Sequence, residues 1–73
     1  MDLLDRIEID PGRRSGKPCI RDTRITVYDV LDYMASGMSD EQILADFPEL
    51  SSDDLRASIA FAAARERRLF GAP

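Results

Sequence analysis

Ile25-Thr26-Val27-Tyr28-Asp29-Val30, Met38-Ser39-Asp40-Glu41-Gln42-Ile43 and Leu50-Ser51-Ser52-Asp53-Asp54-Leu55 share one pattern. It runs apolar residue, Ser or Thr, two variable positions, Asp or Gln, apolar residue. Each copy predicts a helix start. The hydroxyl accepts a bond from the backbone N–H three residues on, and the side chain there bonds back to the hydroxyl residue's own N–H. The flanking apolar residues can close as a staple across the first turn. The hydroxyl residues stand at 26, 39 and 51, which leaves room only for short helices joined by tight turns. Three such helices predict a mainly α, trihelical, helix-turn-helix-like domain.

Working outward, the first helix is expected from about Val27 to Ser36. Val27, Val30, Leu31 and Met34 recur at i, i+3, i+4, i+7 on one face. Gly37 stands where a left-handed C-terminal cap is needed. The second helix starts after Ser39, buries Ile43 and Leu44 with Phe47, and stops at Pro48. The third starts after Ser51 or Ser52 and runs to about Leu69. Leu55, Ile59 and Ala62 make one apolar stripe, and Ala57, Ala60, Phe61 and Ala64 a second. Apolar girth of this kind predicts burial on several sides, and the alanines permit a neighbouring helix to approach closely. Upstream, Ile7-Glu8-Ile9-Asp10 alternates apolar and charged as a short strand does. Pro11-Gly12 and Ser15-Gly16 are turn signals, Pro18-Cys19-Ile20 reads as a second strand, and Asp22-Thr23 as a turn. A short N-terminal β-hairpin is expected; being marginal in water by itself, it must pack on the helices or on a second copy.

The 73 residues allow one domain, 1–73, with strands and turns in 1–26 and helices in 27–70. A chain of this size buries only about 60% of its unfolded surface. One cysteine and no histidine leave it without an intrachain disulfide or an obvious metal staple, so a partner surface is expected, either a homodimer or another protein. The unpaired Cys19 suits a reducing compartment. The first residues are neither basic nor apolar enough for a signal peptide, and no apolar run approaches the ~20 residues of a bilayer span. A cytoplasmic protein, with no membrane partner, is the expectation.

The net charge of −4 conceals a segregation. Residues 1–26 carry Arg6, Arg13, Arg14, Lys17, Arg21 and Arg24 and are slightly basic. Residues 27–55 hold acidic side chains and no basic one. Residues 56–73 carry Arg56, Arg65, Arg67 and Arg68 against Glu66 alone. Overall acidity argues against strong non-specific DNA binding. The two basic ends would form a local patch if they folded together; the alternative is an ordinary solvated surface. Arg65, Arg67 and Arg68 also complement the dipole at the end of the third helix.

Catalytic chemistry is not evident. Gly12-Arg13-Arg14-Ser15-Gly16-Lys17-Pro18 is one residue short of a phosphate-binding loop between its glycines, and Pro18 replaces the magnesium-binding hydroxyl. Cys19 has no histidine to activate it and reads as a small core residue. Asp40, Glu41, Asp53 and Asp54 sit in first turns, where they favour the helix dipole. Neither an enzyme with a small-molecule substrate nor a cofactor or metal site is expected, since so short a chain can hardly enclose a pocket.

From Ile7 to about Ala64 the chain resembles the small bacterial family named domain of unknown function 433, part of which is described as VapB-like antitoxins. The resemblance rests on Gly16-Lys17-Pro18-Cys19-Ile20, Thr23-Arg24-Ile25-Thr26-Val27, Val30-Leu31 and Ala35-Ser36-Gly37-Met38-Ser39. It continues through Glu41-Gln42-Ile43-Leu44, Asp46-Phe47-Pro48-Glu49-Leu50, Asp54-Leu55-Arg56-Ala57 and Phe61-Ala62-Ala63. The family often has glycine before Thr-Arg where this chain has Asp22, a residue type that tolerates a left-handed turn. The resemblance implies a homeodomain-like trihelical fold and, in many members, pairing with a PIN-like ribonuclease toxin that the antitoxin binds and blocks.

Two functional classes follow. A protein-binding antitoxin would send an arginine into the toxin's carboxylate cluster. Arg65, Arg67 and Arg68 are the first candidates, with Arg13, Arg14 and Lys17 as the alternative. A DNA-binding regulator would read bases with the start of the third helix, here Ser52, Asp53, Asp54 and Arg56, where two aspartates face phosphates badly. A dimer could instead use Arg13, Arg14, Lys17, Arg21 and Arg24. A plain dimeric interaction module is the third reading.

Overall fold

In the computed structural model, which describes residues 2–70 and side chains as far as Arg67, all three predicted helix starts close reciprocally. Helix α1 is Val27–Ala35. Its Asp29 N–H donates to Thr26 Oγ1 at 2.9 Å, and the Thr26 N–H donates to Asp29 Oδ2 at 3.0 Å. Helix α2 is Asp40–Asp46, with the same exchange between Ser39 and Gln42 at 3.2 and 2.8 Å. Helix α3 is Ser52–Phe70 and starts on Ser51 and Asp54 at 3.3 and 2.8 Å. Each pair satisfies two backbone donors that a helix start otherwise leaves open.

The helix ends follow the same logic. Gly37 is left-handed at φ +99°. Its N–H donates to Met34 O and that of Met38 to Tyr33 O, at 3.0 and 3.1 Å, the paired bonds of a Schellman motif. Phe47 N–H still reaches Ile43 O at 2.9 Å before Pro48 turns the chain. The Phe47 ring then stacks on Tyr33, centroids 4.9 Å apart, and so ties the end of α2 to α1.

The hairpin is shorter than the alternation of Ile7-Glu8-Ile9-Asp10 suggests. Strand β1 is Ile7–Glu8 and strand β2 is Cys19–Ile20, antiparallel with Ile7 opposite Ile20 and Glu8 opposite Cys19. Ile9 is exposed. The strand stops because the Asp10 carboxylate accepts the Gly12 N–H at 2.8 Å, closing a side-chain turn. Pro18 precedes β2, and its carbonyl accepts the Val27 N–H at 2.9 Å. Asp22 takes the left-handed conformation, φ 62°, so the turn that the family often builds with glycine is retained.

The core joins Ile20 of β2, Val30 of α1, Ile43 of α2, Leu50 of the α2–α3 turn and Leu55 of α3. Cys19 is buried as a free thiol. On α3 Asp54, Leu55, Ala57 and Ser58 are buried while Ile59 is 51% exposed, so of the expected stripe Leu55–Ile59–Ala62 it is Ile59 that turns away from the core. Ser58 can replace Ile59 inside because its hydroxyl donates to Asp54 O one turn back, 3.1 Å away. An unpredicted 3₁₀ turn, Leu3–Arg6, is capped by Asp2 and packs along α3. Among the described residues no helix is long and apolar enough to cross a membrane, and no group of three potential metal ligands comes together.

Candidate interaction surface

The segment before β2 sets the first surface. Arg14, Ser15 and Gly16 are all left-handed, at φ 49°, 60° and 80°, and bonds from Gly16 N to Arg13 O and Lys17 N to Arg14 O hold the turn. Two successive non-glycine residues in this region cost about 1–2 kcal/mol each. Arg14 anchors the strained turn. Its guanidinium donates to Arg24 O at 2.7 Å and to Asp29 Oδ2 at 3.2 Å. The cap of α1, the turn at residues 14–16 and the segment entering α1 are thereby fixed to one another.

Burial pushes the Asp29 carboxyl up, but hydrogen bonds from Thr26 and the positive charge of Arg14 outweigh it and hold it below its ordinary value of 3.8. Tyr33 moves up, through burial first and then the nearby Asp29 charge. Arg13, Arg14, Arg24 and Tyr33 line a shallow cleft of ≈590 Å³. Its cations face Asp22, Asp29 and Glu49 on the same walls, so the cleft is mixed in charge.

The structure sorts the predicted site residues. Arg13 pairs with Glu8 at 3.1 Å, and Arg21 approaches the same carboxylate at 3.6 Å. Arg56 only brushes Asp53 at 4.0 Å and is largely exposed. Lys17, Arg24, Arg65 and Arg67 are exposed and make no ion pair with another described residue. The Arg68 side chain lies outside the described residues. Arg13, Arg14 and Arg24 come to one cleft, whereas Arg65 lines another, so the two basic ends do not share a pocket.

A cation absent from the sequence-based set governs the start of α3. Arg6 reaches Asp54 Oδ1 at 3.1 Å and Asp53 Oδ2 at 3.5 Å. Asp54 is 7% exposed, and its carboxylate also caps α3 through Ser51. The chain's own N-terminal turn thus brings a cation to both aspartates at the leading end of α3. No local pattern announces a partner 48 positions away in the sequence; only the buried carboxylate, once seen, demands one.

The second surface lies between α1 and the later turns of α3. Val27 and Leu31 on α1 and Phe61 and Ala62 on α3 line an apolar groove of ≈160 Å³. Tyr28 stands at its edge, 39% exposed, and Arg65 and Glu66 complete the rim.

Fold and surfaces define a small trihelical domain with a mixed-charge cleft at one place and an apolar groove at another. A family model described as "Protein of unknown function (DUF433)" matches residues 7–62, and the chain belongs to that family. A protein from Sinorhizobium fredii (strain NBRC 101917 / NGR234), named uncharacterized protein y4eO, is 37% identical over 65 residues. That match covers 84% of this chain and 29% of the relative. The crystal structure of a DUF433 member from Anabaena variabilis ATCC 29413 superimposes with a TM-score of 0.81 at 33% identity, covering 90% of this chain and 65% of that one. The chain thus spans under a third of the Sinorhizobium protein and about two thirds of the Anabaena chain.

Proposed function

We propose that this protein is an antitoxin-type binder that occupies and blocks the active site of a PIN-like ribonuclease. The observation that carries the reading is the division of labour along α3. Its leading end, where a recognition helix would meet DNA, carries Asp53 and Asp54, both paired with Arg6. Its last described turn presents Arg65 and Arg67 to solvent. The partner class is the one that the family resemblance implies. An arginine entering a cluster of metal-binding carboxylates forms charge-assisted, bidentate bonds and competes with both the cations and the RNA phosphates. Of the candidates Arg65, Arg67 and Arg68, the pair Arg67 and Arg68 is proposed for this contact, Arg65 standing instead at the groove beside α1.

The test is to identify the neighbouring gene and, where it encodes a PIN-like protein, to co-express the two. A complex that survives purification, and relief of growth arrest, are expected; the double variant Arg67→Ala, Arg68→Ala should weaken the complex at least tenfold while melting like the parent. Recovery of neither complex nor relief defeats the reading.

A second reading, autoregulation by DNA binding, draws on the clustering of Arg13, Arg14 and Arg24 in one cleft, with Lys17 and Arg21 nearby in sequence. A mobility shift with the upstream region at physiological salt, lost in Arg24→Ala, would support it. No shift removes it.

A further inference from the structure

We infer that the groove between α1 and α3 is the contact by which two copies of this chain form a two-fold dimer, with Arg65 of each copy set against Glu66 of the other. Three observations bear on the occupant. The lining is apolar, with Val27 fully buried at its floor and Tyr28 exposed at its edge, so whatever fills it offers apolar side chains. Alongside the groove α3 reads Ala60-Phe61-Ala62-Ala63-Ala64; alanines let a second helix approach to the short end of the usual 8–10 Å separation. The rim carries one cation and one anion at adjacent positions, Arg65 and Glu66.

The third observation selects among partners. In an isologous contact the same patch serves on both sides, so a contact from residue i to residue j is made twice. A patch carrying both signs is then self-complementary, and one two-fold axis satisfies both rims together. A nucleic acid would meet the Glu66 carboxylate at the groove. A domain of this size also leaves much apolar surface uncovered, and a second copy covers it. Arg67 is two residues, about 200° of helix turn, from Arg65; it points away from the groove, so the dimer stands independently of the toxin reading.

Sedimentation and light scattering on the full chain, at low salt, test the inference. The parent is expected to dimerise. Arg65→Glu alone and Glu66→Arg alone should each weaken the dimer at least tenfold with little change in helix content. Mixing the two variants should restore association as a heterodimer, because one copy then carries two anions and the other two cations. A parent that stays monomeric at millimolar concentration overturns the inference. So does a parent dimer that both variants leave unchanged, or single variants whose mixture regains nothing.

Discussion

Asp29 performs two tasks with one carboxylate. It accepts the Thr26 N–H, which completes the start of α1, and it receives Arg14 from the strained turn. Removing its charge should cost about 1 kcal/mol, the typical worth of a helix cap. The pH dependence has a definite sign. A carboxyl held below its ordinary value when folded adds stability that is complete above that value, 3.8, and is lost as pH falls through the lowered one. Asp29→Asn should therefore melt earlier than the parent at neutral pH, and the gap should narrow below about pH 4; an equal gap at pH 7 and pH 2.5 would show that shape, not charge, is what matters. Asp22 gives a second residue-scale expectation. It holds φ 62°, a conformation glycine adopts at no steric cost. Asp22→Gly should leave stability unchanged or raise it by up to about 1 kcal/mol, whereas Asp22→Val, β-branched, should lower it. Chemical denaturation of the three chains decides this.

At the scale of elements, the sequence was most informative where a bond spans three or four residues. The starts at Thr26, Ser39 and Ser51, the Gly37 cap and the stop at Pro48 all rest on contacts within one turn, and each is found. Reading weakened where burial depends on a distant element. Periodicity gives α3 two apolar stripes, Leu55–Ile59–Ala62 and Ala57–Ala60–Phe61–Ala64; Leu55 and Ala57 are buried as expected, but Ser58 and Asp54 are buried with them and Ile59 is not. The helix is turned so that a hydroxyl satisfied by its own backbone lies inside and Ile59 faces out. The turn Leu3–Arg6, with no apolar periodicity of its own, was not foreseen, although it packs along α3 and supplies Arg6. Arg6 and Asp54 should be energetically coupled. In a double-mutant cycle of Arg6→Ala and Asp54→Ala, a coupling of about 1 kcal/mol is expected, since Arg6 is partly exposed and solvent screens the pair. A coupling indistinguishable from zero would reduce the contact to mere proximity.

For the whole molecule, the charge segregation visible in the sequence takes on a different meaning once the chain is folded. The acidic stretch 27–55 is not a uniform negative face: Asp29, Asp53 and Asp54 are met by Arg14, Arg6 and Arg56. Of the basic residues assigned to a partner, Arg13, Arg14 and Arg21 are already engaged within the fold, and Lys17, Arg24, Arg56, Arg65 and Arg67 carry outward charge among the described residues. Two surfaces result, a mixed-charge cleft at the hairpin end and an apolar groove with a bipolar rim beside α3. The dimer and antitoxin experiments address different parts of the second region, so either can fail without the other.

By itself the sequence determined that this is a small trihelical domain with a short hairpin, where each helix begins and which family it joins. Those properties rest on spacing: a hydroxyl and its reciprocal partner three residues apart meet whatever surrounds them. Tertiary structure alone decided which charges remain available. Arg6 finds Asp54 across 48 positions, Arg14 finds Asp29 across 15, and the rotation of α3 sets Ile59 outward and Arg65 beside Val27. Such pairings depend on where the chain returns in space, and no local spacing encodes that.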